Sequence, residues 1–326
     1  MKKLIRVLAF PMLCLAMLMP QPAGAQADYP NRAIRIVLPY PAGGIVDILT
    51  RIVAEKLSKN WGQPIVIEPK PGANGNIAWD QVSRAEPDGY TWTFLSPATS
   101  ANPRMQPSVR WSEKSFIPVG GAVWAPSVVV VRPDLPVSTM KELVDYVRKN
   151  PGKLNWVNPG TGTSQHLNTA IMLHATKLEM TGVPYRGQPP GIIDLVSGRV
   201  DMMVASIGLV AEHIRTGALK PLAVLGTTRS RSLPDTPTMA EAGYPEVNVV
   251  AWYGYSVPRG TPQPVVEKIV EGFNVALKDP GVREALEKQS LQVMDPVSAS
   301  GLEAMLAADA EKYGAIIKAA DIRLDK

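Results

Sequence analysis

Two short stretches hold residues suited to gripping an anion. The first is Tyr40-Pro41-Ala42-Gly43-Gly44, with Asp47 three residues on. Proline sets φ, and the glycines permit φ > 0 and close backbone approach. The second is Gly160-Thr161-Gly162-Thr163-Ser164, followed by His166. Here hydroxyls add side-chain donors to those of the backbone. After each stretch the apolar residues recur at helical spacing: Ile45, Ile48, Leu49, Ile52, Val53 and Leu57, then Leu167, Ala170, Ile171 and Leu178. Each turn therefore opens a helix. The first N–H groups of a helix have no intrahelical partner, and the dipole is positive at that end, so it suits an anion. A phosphate reader would carry GxxxxGK[ST] or GxGxxG at the first turn. Neither is present, which leaves a planar carboxylate as the simpler guest. Taken alone, the first stretch is equally compatible with a strand-to-helix turn that binds nothing. Ser164 is expected to cap the second helix.

The elements that must position these turns alternate between strand and helix. Residues 34–38 read as a strand ahead of the first turn, and 64–67 as another. The turn Gly72-Ala73-Asn74-Gly75-Asn76 precedes a short helix over 77–85. Asp88-Gly89 turns into a strand over 90–95, which ends in a polar loop, Ser96-Pro97-Ala98-Thr99-Ser100. Residues 128–131, all valine, read as a strand buried on both faces. Ser138 is the expected N-cap of a helix over 140–149, stopped by Pro151-Gly152. A strand over 154–158 leads into the second turn. Helices are expected over 263–277, over 281–289 behind Asp279-Pro280, and within 297–319. In the last, Leu302, Met305, Leu306, Ala310, Tyr313 and Ile316 form a core stripe. This order predicts α/β architecture with mainly parallel sheets and right-handed crossovers. Ligands then sit beyond the carboxyl ends of the strands.

Composition narrows the function classes. Residues 1–25 read as a cleavable secretory signal: Lys2, Lys3 and Arg6, an apolar stretch, then Ala23-Gly24-Ala25. Its removal leaves 301 residues and takes three of the five net positive charges, so a net charge of +2 remains. Nucleic-acid binding loses its compositional support. The one cysteine, Cys14, lies in the signal, behind Met12-Leu13 and not behind the small residues of a lipid-anchor site. The mature chain then has no disulfide and no thiol nucleophile. There is no GxSxG elbow, and the three histidines form no recognisable triad. His166 and His174 are eight apart, but no carboxylate or cysteine cluster joins them as metal ligands. His166 is expected to orient its loop and His174 to lie in the core. No metal or cofactor is expected.

The ordered motifs PYPAGGIVD, PGANGN, DGY, NPGTGTSQHL, VPYRG, SGRVDMM and LPDTPTMAEAGYP resemble Bug-type periplasmic solute-binding proteins of tripartite tricarboxylate transporters. The resemblance spans residues 29–324. It implies a type II-like two-lobed fold, each lobe a mainly parallel sheet flanked by helices, with the ligand cleft between them. One lobe would comprise 28–124 plus 248–326 and the other 125–247, with hinges near Trp124 and Asn248. It also implies that an organic acid's carboxylate is held between the first turn (Pro41, Ala42, Gly43 and Gly44) and the second (Gly160, Thr161, Gly162, Thr163, Ser164 and His166). Thr99 and Ser206 complete the expected ligand contacts, with Tyr40 as an aromatic wall. Where the family often has Phe-Asp-Asn, this chain has Val204-Ala205-Ser206, which disfavours an amino-acid ligand. Arg186 replaces the usual lysine and could pair bidentately with a carboxylate or with a protein acid. Asp47 is expected to brace its turn more than to touch ligand.

The resulting expectation is a monomeric periplasmic binding protein, not an enzyme. It would capture a dicarboxylate, hydroxy acid or aromatic acid for the membrane subunits of a tripartite tricarboxylate-type transporter. A ligand sensor docking onto a membrane receptor is the alternative, with a periplasmic hydrolase further behind.

Overall fold

The computed structural model describes residues 29–106, 108–247, 249–294 and 298–319. The expected signal segment with Cys14 and the expected hinge position Asn248 lie outside them.

The chain builds two mixed sheets. The first takes β1 (Ile34–Leu38), β2 (Ile65–Pro69), β3 (Thr91–Leu95), β4 (Phe116–Ala125), β10 (Ala251–Pro258) and β11 (Gln292–Val293), in the order β11-β4-β10-β3-β1-β2. The second takes β5 (Ser127–Val131), β6 (Asn155–Asn158), β7 (Thr181–Pro184), β8 (Met202–Ser206) and β9 (Lys220–Leu225), in the order β7-β6-β8-β5-β9. The α/β, two-sheet expectation stands, but the sheets are not mainly parallel. Parallel pairing is confined to β2-β1-β3 and to β7-β6-β8. Strands β10, β4 and β11 in one sheet and β5 and β9 in the other pair antiparallel. The chain passes between sheets twice, through Pro126 and again between β9 and β10. Strands that enter at these crossings run against the parallel core.

Local patterning explains the layers. In β5 every residue is buried, because alternate side chains serve two different cores. Val128 and Val130 pack with Ile192, Leu195 and Met203; Val129 and Val131 pack with Leu143, Leu167 and Met202. In the first sheet Ile36 and Leu38 meet Leu49, Val53, Trp92 and Phe273, while Val37 faces Trp79, Val82 and Phe116.

The helices are α1 (Ile45–Trp61), α2 (Asn76–Ser83), α3 (Pro97–Met105), α4 (Met140–Lys149), α5 (Ser164–Thr176), α6 (Gln188–Val196), α7 (Ile207–Arg215), α8 (Gln263–Lys278), α9 (Pro280–Lys288) and α10 (Ala299–Ala319). Helix α10 joins both halves. Leu302 and Leu306 pack with Leu95 and Trp252 of the first sheet, whereas Tyr313 and Ile317 enter the core around Val129 and Met172.

Three local readings change. The Ser96-to-Ser100 segment is the start of α3, not a loop. Pro97 sits at the first helical position, where its missing N–H costs nothing. Helix α4 is capped by Thr139, whose hydroxyl accepts from Glu142 N; Ser138 instead donates its N–H to the Glu142 carboxylate. His174 is exposed, one side of α5 away from its core face. Among the described residues no helix is long and apolar enough to cross a membrane.

Candidate functional site

A cleft lies where the two sheets' helix-opening turns face each other. On one side are Tyr40, Pro41, Gly44, Ile45 and Val46, at the β1–α1 junction, with Tyr253 of β10. On the other are Pro159, Thr163, Ser164 and Gln165, at the β6–α5 junction, with Gly187, Gln188 and Pro189 at the start of α6. The cleft is narrow, with about 60 Å³ of open room between its walls.

Backbone chemistry makes the first wall a donor. Gly44 is the N-cap of α1 and supplies no side-chain cap, so the first N–H groups of α1 are left to whatever enters the cleft. Gly43 has φ of +81°, a conformation that suits glycine. Its N–H donates to Asp47 Oδ2 at 3.0 Å, and Arg51 Nε binds the same oxygen at 3.0 Å. Asp47 is thus the brace of its own turn, with Arg51 offsetting its charge. Ala42 and Gly43 are exposed and belong to the turn's outer edge.

The second wall is built differently. Thr163, not Ser164, caps α5: its Oγ1 accepts from His166 N at 3.3 Å. His166 Nδ1 accepts from Gly162 N at 3.3 Å, so the ring holds the turn and takes up the Gly162 N–H. Burial pushes this imidazole down to about 4, which keeps Nδ1 free to accept. Thr161 Oγ1 accepts from the Asn158 side chain at 3.0 Å, and Gly160 N donates to Asn158 Oδ1 at 3.1 Å. A Cβ on Gly162 would run into Asn102 Oδ1 of α3. With these groups engaged inside the turn, Ser164 is released to the cleft. It is 3% exposed, and its hydroxyl makes no hydrogen bond of ordinary geometry, the Tyr253 hydroxyl being its polar neighbour.

Between the walls lies a neutral network that sequence reading missed. Gln165 Nε2 donates to Ser206 Oγ at 3.0 Å and to the Tyr253 hydroxyl at 3.2 Å. Gln188 donates from Nε2 to Ser206 Oγ at 3.0 Å and accepts Ser206 N on Oε1 at 2.8 Å. Gln165 and Tyr253 belong to different halves, so this contact bridges the cleft. A second bridge lies at the mouth, where a Cβ on Gly187 would touch Pro41 Cγ at 3.1 Å. Burial raises the Tyr253 phenol, and the Tyr40 phenol is raised for the same reason beside Ser96. Both stay protonated.

The remaining expected contacts are elsewhere. Thr99 is fully buried and accepts from Ser96 N at 3.1 Å, closing the first turn of α3. Arg186 is exposed and does not line the cleft. Ser206 does not line the cleft itself; it stands behind Gln165, Gln188 and Tyr253. None of the residues lining the cleft is charged. No sequence signal distinguishes Gln165, Gln188 or Tyr253, because their roles come from partners 18 to 88 residues away.

Two sheet-and-helix halves that meet at one cleft, with the N-termini of α1 and α5 facing in, match the fold of solute-binding proteins and not of an enzyme. The chain belongs to the tripartite tricarboxylate transporter family receptors: residues 49–322 match that family, TctC. It is 37% identical over 283 residues to the UPF0065 protein in the tcbD-tcbE intergenic region of Pseudomonas sp. (strain P51), covering 86% of this chain and 84% of that one. The structure of the periplasmic binding protein BugD superposes with a TM-score of 0.85 at 32% identity, over 90% of this chain and 99% of that one. MatC from Rhodopseudomonas palustris, with bound malate, gives 0.83 at 29% identity, over 89% of this chain and 100% of that one. R. palustris Rpa4515, with adipate, gives 0.84 at 29% identity, over 91% and 99%.

Proposed function

We propose that this chain is exported and captures a small carboxylate-bearing organic acid between its lobes. It then delivers the acid to the membrane subunits of a tripartite tricarboxylate-type transporter. The lobes would be 28–124 plus 248–326 and 125–247. The observation that carries the reading is the Ser164 hydroxyl, buried between the N-termini of α1 and α5 with no hydrogen bond of ordinary geometry and the Tyr253 hydroxyl beside it. A buried donor without an acceptor costs about 1–3 kcal/mol, and a carboxylate oxygen removes that cost. The malate and adipate of the two R. palustris proteins support an organic acid as guest.

The donors are N–H and O–H groups only, so binding requires the ionised acid. Titration calorimetry with an acid and its methyl ester tests this. Charge-assisted hydrogen bonds contribute about 1.5–3 kcal/mol each, so the ester should bind at least tenfold more weakly. Equal affinity for acid and ester would overturn the proposal.

A further inference from the structure

We propose that a seam beside the cleft positions the two halves in their closed arrangement without touching the guest. Gly208, Leu209 and Ser232 form it on one half, Gln289 and Ser290 on the other, and none of the five lines the cleft. This rests on the lobe division proposed above, and not on the choice of acid.

The seam extends the boundary between the cleft walls. Helix α9 shares a core with α1 through Leu286 and Leu49, and α7 shares a core with α6 through Val210 and Leu195. Helices α1 and α6 both open at the cleft, and α9 and α7 meet alongside them. Leu209 of α7 packs against both of these cores. The start of α7 is tied to the cleft wall, because its N-cap, Ser206, is held by Gln165 and Gln188.

Three features converge at the meeting point. The N-terminal end of α7 faces the C-terminal end of α9, which pairs a positive helix end with a negative one. Gly208, the second residue of α7, lets the two backbones approach. A Cβ there would run into the Gln289 carbonyl oxygen, with the carbonyl carbon at 2.8 Å and Cα at 3.0 Å. These are main-chain atoms and cannot swing aside. Ser290 directly follows the α9 C-cap and has φ of +55°, where glycine is the usual residue. Its N–H closes the helix end on Glu287 O at 2.8 Å, as a glycine's would. What glycine could not supply is the hydroxyl, which lies 2.7 Å from Ser232 Oγ on the opposite half. A residue in a strained backbone conformation thus makes a hydrogen bond between halves. Gly208 itself is helical with no positive φ, so alanine suits its own helix better than glycine does. The added methyl is harmful only where the halves meet.

The test is a thiol pair, Ser232→Cys with Ser290→Cys, in a Cys14→Ser background that removes the chain's one native thiol. A disulfide needs Cβ atoms about 3.5–4.5 Å apart, so its formation reports the closed seam. Diamide should cross-link the pair and shrink the radius of gyration in solution scattering, and reduction should restore it. Adding Gly208→Ala should slow cross-linking at least tenfold. Iodoacetamide labelling of the reduced thiols should keep its rate, and the urea midpoint should hold or rise. Cross-linking at the parent's rate in Gly208→Ala would overturn the positioning role. A lower urea midpoint, or failure to fold, would overturn it too, by assigning Gly208 to the fold itself. Equal radii for the oxidised and reduced protein would mean that the seam never parts, and thiols that do not cross-link would mean that the halves do not meet there. Either result would sink the inference. None of these outcomes bears on the acid–ester comparison, which tests the guest separately.

Discussion

Two buried titrating groups with opposite sign should nearly cancel in the stability of this protein, and one substitution should expose the hidden term. His166 is depressed to about 4 by burial. A depressed histidine binds fewer protons folded than unfolded between pH 4 and 6.5, so it adds stability as the pH rises. Asp309, on α10, is raised to about 6 by burial, with the Trp252 indole donating to it at 2.7 Å. A raised carboxyl binds more protons folded than unfolded, so its contribution is lost as the pH rises through 6. Lys312, the cation that faces it from the same helix, is itself lowered by burial. From pH 5 to pH 7, His166 then adds about 2 kcal/mol and Asp309 removes about 1, so the two largely offset each other. The exposed paired carboxylates, Asp134, Asp145 and Asp194 among them, are held low and titrate beneath this window. Asp309→Asn keeps an oxygen for the indole and removes the opposing term. Urea unfolding at pH 5, 6 and 7 should show wild-type stability changing little and the variant's rising more steeply, by about 2 kcal/mol. A variant whose stability runs parallel to wild type would refute the assignment of opposite signs to these two groups.

Ser164→Ala should leave stability unchanged or slightly higher, because it removes a hydroxyl that makes no hydrogen bond of ordinary geometry, yet weaken acid binding about ten- to a hundredfold; a loss of stability with normal affinity would count against the cleft role. Gly43→Val and Gly44→Val should each cost about 1 kcal/mol, the first through its φ of +81° and the second as a poor N-cap. Only Gly44 lines the cleft, so Gly44→Val alone should abolish binding in calorimetry, and the reverse pattern would misplace the ligand. Ligand should pull the lobes together, because contacts made only in the closed state supply the differential energy. Solution scattering should therefore give a smaller radius of gyration with ligand than without, and identical radii would contradict closure.

What sequence could show was whatever is decided within a few residues. Pro41, Gly43 and Gly44, and the run from Gly160 to Ser164, announce their turns because proline and glycine act on their own backbone. The Asp47 brace spans four residues and was equally readable. Errors began where two local rules compete. Thr163 and Ser164 are both good caps, and the choice falls to Thr163 because its hydroxyl reaches His166 N. Thr99 looked like a loop hydroxyl, although Ser96-Pro97 is also a helix start. His174 has the spacing of the core stripe, but the helix turns it to solvent. The sheets' antiparallel pairs, the Gln165–Tyr253 bridge and the double commitment of Gln188 depend on chain segments meeting across long separations. No local pattern encodes those meetings.

The two helix ends that face the cleft have a consequence for how such a protein can diverge. On the proposed function, the anchor for the acid is made largely of peptide N–H groups, which every residue but proline supplies. Substitutions at Ile45, Val46 or Gln165 leave that anchor in place. The walls are made of side chains, and each can be exchanged on its own. Grip and choice are thus written in separate parts of the chain. A descendant can acquire a new substrate by altering Tyr40, Val46 or Pro189 in single steps, without passing through a form that has lost its hold on carboxylates.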